Sequence, residues 1–141
     1  MPEQILVPVD GSERSTEALT YAIESFPDAT ITALHVLEYG LGDLGTFSGM
    51  TGDLPDDEAA EAQASEVLEE AKRLGDEHGV DVRGERGQGR PERVITKYVE
   101  DDGYDLIVIG SHGRDGVARV LLGSVAEKVV RRSPVPTLVV R

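Results

Sequence analysis

Residues 105–124 read "DLIVIGSHGRDGVARVLLGS", and "VAEKVVRRS" follows at 125–133. The apolar, β-branched run has the composition of a buried strand, and the last segment has apolar residues at helical spacing. Gly110, Gly113, Gly116 and Gly123 therefore stand where a strand hands over to a helix. Glycine suits positions where φ turns positive or where something comes close to the backbone, so this loop either surrounds a ligand or only turns the chain.

The same alternation extends outward in both directions. "QILVPVD" (4–10) is an apolar run ending at Asp10-Gly11-Ser12, and Ala18, Leu19, Ala22, Ile23 and Phe26 then recur at helical spacing. "ATITALHVLE" (29–38) reads as a buried strand with Val36 near its end. Residues 39–55, "YGLGDLGTFSGMTGDLP", are glycine-punctuated and aperiodic, either a functional lid or a disordered excursion. Asp56 and Asp57 suit a helix start, and Ala60, Ala64, Val67, Leu68, Ala71 and Leu74 form one apolar stripe ending near Gly79. "VDVRGERG" (80–87) is a more polar strand, as expected near a sheet edge. Pro91 opens a helix carrying Val94, Ile95, Tyr98 and Val99, while Arg131, Arg132 and Pro134 end the last one before "VPTLVVR" (135–141). The order βαβαβαβαβ predicts an α/β fold, an open doubly wound five-stranded parallel sheet with helices on both faces, in a single domain over 1–141.

Composition narrows the function. The chain has 27 Asp and Glu against 14 Lys and Arg, a formal charge of -13, with Lys72, Lys97 and Lys128 its only lysines. Acidity spread along the whole sequence disfavours a nucleic-acid partner and suits solubility at high salt, which points to a halophile. Without cysteine there is no disulfide framework or thiolate metal site. No signal-like apolar core opens the chain and no run reaches membrane-spanning length, so membrane insertion is not expected and a cytoplasmic location is.

In an open parallel sheet, ligands gather outside the carboxyl ends of strands where the winding reverses. The first strand ends at Asp10 and the fourth at Gly110. Ser124 and Glu127 form the pattern S-x-x-E of a capping box ahead of Val125, Val129 and Val130, which places the last helix start at Ser124. Unpaired amides at Gly123, Ser124 and Val125 could hold phosphate, with Arg114 and Arg119 as nearby cations. Neither a G-x-x-x-x-G-K-[ST] loop nor a G-x-G-x-x-G after the first strand is present. His35 reads as a packed core residue, His78 as a helix-end contact and His112 as a loop stabiliser, and these three make no metal site. Ser12, Ser111 and Ser124 lack the G-x-S-x-G setting of a serine hydrolase.

The joint pattern of Gly110-x2-Gly113-x9-Gly123-Ser124, "PVDGS" at 8–12, "LHV" at 34–36 and "SPVPTLVVR" at 133–141 resembles the universal stress protein family, in its ATP-binding branch. The resemblance implies the strand order 3-2-1-4-5, which sets Asp10 beside Gly110. It implies that Pro8, Val9 and Asp10 lie against adenine and ribose and that the backbone of Val36 recognises adenine. Ile109, Gly110 and Gly113, with Arg114 after them, then form the ribose and phosphate loop, and Gly123, Ser124 and Val125 cradle phosphate. The ligand implied is ATP, or AMP or ADP, supported by Asp10 either directly or as a metal ligand through Mg2+ and water. A homodimer through residues 135–141 and an unidentified protein partner complete the expectation of a stress-response regulatory module. Its rivals are a slow ATP hydrolase or nucleotidyl transferase and a nucleotide-free chaperone-like dimer. The S-G-G-x-D-S and H-x-G-H signatures of adenylate-forming relatives are absent.

Overall fold

The computed structural model describes residues 3–37, 57–111 and 124–141. Among the described residues, five strands and four helices alternate: β1 (Gln4–Pro8), α1 (Glu13–Ser25), β2 (Thr30–Leu37), α2 (Asp57–Glu77), β3 (Val82–Gln88), α3 (Pro91–Asp102), β4 (Leu106–Gly110), α4 (Ser124–Arg132) and β5 (Thr137–Val140). The strands form one sheet in the order β3-β2-β1-β4-β5, and every neighbouring pair is parallel. The segment 38–56, which contains the lid-or-excursion stretch 39–55, lies outside the described residues.

Period-two alternation of side chains sorts the core onto two faces. Ile5, Val7, Ile31, Ala33 and Val108 pack with Leu19, Ile23 of α1 and Leu68, Ala71 of α2. Leu6, Leu34, Ile107 and Ile109 pack with Ile95, Val99 of α3 and Ala126, Val129 of α4. The central strands are apolar on both faces because each face is covered by a helix pair. β3 at one edge is mostly exposed and polar, as its sequence suggests.

Local signals account for most boundaries. Ser12 caps α1, its hydroxyl accepting from Ser15 N–H at 3.2 Å, and Pro91 sits in the first turn of α3. Gly103 ends α3 with φ of 73°, a conformation that a Cβ disfavours. Two expectations need correction. β1 ends at Pro8 rather than Asp10, since Asp10 N–H leaves the ladder for Ser15 Oγ at 3.2 Å. α4 does start at Ser124 as expected, but the Glu127 carboxylate accepts from Arg131 at 3.1 Å, and a capping box closed by Glu127 is not seen among the described residues.

Candidate functional site

In a parallel sheet all strands point one way, so the helices that follow them begin at the carboxyl edge, where their unpaired amides concentrate positive potential. The pairing along that edge is uneven. β1 and β2 stay in register through Pro8–Leu34, and β4 and β5 through Gly110–Val140. β1 and β4 pair only at Ile5–Leu106 and Leu6–Ile107. Beyond those rungs the two central strands each bond outward, and a crevice opens between them where the winding reverses.

The β1 side of the crevice is a built turn. Asp10 Oδ1 accepts from Ser12 N–H at 2.9 Å across Gly11, whose φ is +86°. Ser15 Oγ accepts from Asp10 N–H and donates to the Ser12 carbonyl at 3.1 Å. Desolvation alone would raise the Asp10 pKa, but hydrogen bonds from Ser12 and Ser15 outweigh it and hold the carboxyl below its ordinary value. The carboxylate is thus charged and fixed while still reaching solvent. The β4 side is Gly110 followed by buried Ser111. A Cβ on Gly110 would stand 2.7 Å from the Arg14 carbonyl oxygen, so the glycine is required by the first turn of α1, whatever else approaches it.

Of the expected site residues, Pro8, Val9 and Asp10 stand at the tip of β1, Val36 near the end of β2, and Ile109 and Gly110 at the end of β4. Ser124 and Val125 open α4, and Val125, Val36 and Ile109 pack into the same core cluster. Gly113, Arg114 and Gly123, with Gly116, Arg119 and His112, lie outside the described residues. Ser15 and Arg14 escaped the sequence reading. D-G-S-x-x-S was a visible signal for the first, but the Arg14–Gly110 approach joins residues far apart in sequence and had none. Among the described residues no group of His, Asp and Glu is arranged to hold a metal by itself. A hollow of about 500 Å3 lies at the opposite, amino edge, lined by Gln4, Ser25, Phe26, Pro27, Asp28 and Thr30 among others. It has neither converging helix starts nor a split ladder. No helix among the described residues is long and apolar enough to cross a membrane.

The sequence matches the universal stress protein family over residues 1–141. The chain belongs to the universal stress protein family. Universal stress protein YxiE of Bacillus subtilis is 34% identical over 151 residues, covering 100% of each chain. A universal stress protein crystallised in complex with cAMP is 25% identical, with a TM-score of 0.71 over 99% of this chain and 97% of that one. The universal stress protein from Archaeoglobus fulgidus in complex with dAMP shares the fold at 21% identity, with a TM-score of 0.74 over 99% of this chain and 98% of that one.

Proposed function

We propose that this universal stress protein binds an adenine nucleotide, ATP in its full form, in the crevice between β1 and β4, and works as a nucleotide-responsive regulatory module rather than a rapid enzyme. The observation that carries the reading is the early end of the β1–β4 ladder beside a fixed, charged Asp10. The cAMP complex of a relative supports the ligand class. In this reading Pro8, Val9 and Asp10 flank base and ribose, and the Val36 backbone reads the base. Ile109 and Gly110, with Gly113 and Arg114, line the ribose and phosphate path. Gly123, Ser124 and Val125 hold phosphate through the start of α4.

Mg2+ fits as a companion of the phosphates. It is usually held by one or two carboxylates plus phosphate oxygens and water, and Asp10 offers one carboxylate whose Oδ1 is engaged by Ser12 while the group still reaches solvent. The ion would offset repulsion between that carboxylate and the phosphates. The same reading takes the functional unit to be one domain over 1–141, paired as a homodimer through 135–141, with a bound-nucleotide surface that a protein partner reads.

Calorimetric titration with ATP tests the ligand. Gly123→Val is expected to abolish binding by placing a branched Cβ in the phosphate path, and Glu69→Gln, on the exposed face of α2, to leave it unchanged. Identical curves for wild type and Gly123→Val would remove the proposed site.

A further inference from the structure

We propose that His35 is a positioning residue that keeps the Val36 backbone free to receive the base, an inference that rests on the reading of the crevice above. His35 is 7% exposed, and its Nδ1 lies 2.9 Å from the Val9 carbonyl oxygen. A carbonyl only accepts, so Nδ1 carries the proton and donates. This contact falls at the rung where the β1–β2 ladder stops. Val9 N–H donates to the Leu34 carbonyl at 2.9 Å, so residue 34 turns its backbone groups toward β1. Gly89 N–H donates to Leu37 at 3.0 Å, so residue 37 turns its own toward β3. Alternation then sets both N–H and C=O of Val36 on the β1 side.

In a continuing parallel ladder, the Val36 N–H would donate to the Val9 carbonyl. The backbone bonds of the described residues include no such rung, and the imidazole of His35 occupies that acceptor instead. One residue on, Asp10 has turned away to Ser15. Among the described residues, a donor and an acceptor from one residue are therefore left facing the crevice, a pair that matches a 6-aminopurine edge, which offers a ring-nitrogen acceptor beside an amino donor. His35 satisfies the Val9 carbonyl, just past the end of β1, without consuming that pair.

The test compares two near-isosteric variants in AMP titrations. His35→Asn keeps an N–H donor near the Nδ1 position and is expected to bind AMP within about threefold of wild type, whereas His35→Leu loses at least about tenfold. Preference for AMP over IMP, whose six-position and N1 reverse donor and acceptor, is expected to collapse in His35→Leu and persist in His35→Asn. A second readout needs no ligand or variant: in the wild-type protein the Val36 amide exchanges its hydrogen much faster than the laddered amides of Leu34 and Val9. Equal AMP affinities for wild type and His35→Leu would overturn the role of His35 alone, and a protected Val36 amide in wild type would overturn it together with the assignment of the base to the Val36 backbone. Failure of wild type to bind AMP would overturn it together with the reading of the crevice.

Discussion

Gly110 and Asp105 show how single residues set the two ends of the sheet. At the carboxyl end, Gly110→Ala drives a Cβ into the backbone of Arg14, 2.7 Å away, where no flexible side chain can yield. Destabilisation of about 1–3 kcal/mol is expected, the usual range for overpacking, and denaturant unfolding measures it. A variant as stable as wild type would mean that α1 sits higher over β4. At the amino end, the Asp105 carboxylate accepts from the amides of Glu3 and Gln4 at 2.9 and 3.0 Å. Those bonds hold its pKa below the ordinary carboxylate value. A depressed pKa gives stability that is complete above the unfolded value and is lost as pH falls through the folded one. The stability gap between wild type and Asp105→Asn is therefore expected to be widest near neutral pH and to close in acid below about pH 4. A gap independent of pH, in urea midpoints measured across the series, would contradict the clamp.

At the scale of elements, the two sheet edges differ in a way that bears on assembly. β3 is polar, and its Arg86 is tied to Glu61 and to Ser65 Oγ on α2. β5 is apolar and only partly buried along Thr137–Val140, which suits pairing with a second copy. Pro136 and Val140 carbonyls accept from Ile107 on β4 and from Ser111 just beyond it, so the backbone groups of Thr137 and Val139 point outward. Val139→Pro removes one outward N–H without cutting a β4 rung. The proposed homodimer is expected to give dimer mass by light scattering at high salt, to weaken at low salt as repulsion grows, and to become monomeric in Val139→Pro. Monomer mass for the wild-type chain throughout would remove it. The elements themselves were legible because hydrophobic period switches cleanly between strand and helix, as in "LIVIG" against "SVAEKVVRR". Their ends were less so. The run "PVD" does not itself mark the strand end, because the D-G-S-x-x-S signal for the Ser15 contact lies beyond it, and S-x-x-E is ambiguous once Arg131 competes for Glu127.

For the whole molecule, the residues proposed for the site could be named from the sequence, but the construction that brings the described ones together could not. Pro8, Asp10, Val36 and Gly110 stood out as a joint pattern, but their convergence depends on a ladder between β1 and β4 that ends after two rungs, a property of non-local pairing that no local run encodes. In the proposed reading the crevice works against a formal charge of -13, and the helix starts at the carboxyl edge would supply the local positive potential that an anion needs. Nuclear magnetic resonance of the labelled chain, titrated with AMP, locates the ligand directly. The account predicts saturable shifts of the amides of Val9 to Ser12, Val36, Gly110 and Ser111, with little change at the amino edge. Shifts confined to Gln4, Phe26, Asp28 and Thr30 around the opposite hollow, or none at all, would contradict it.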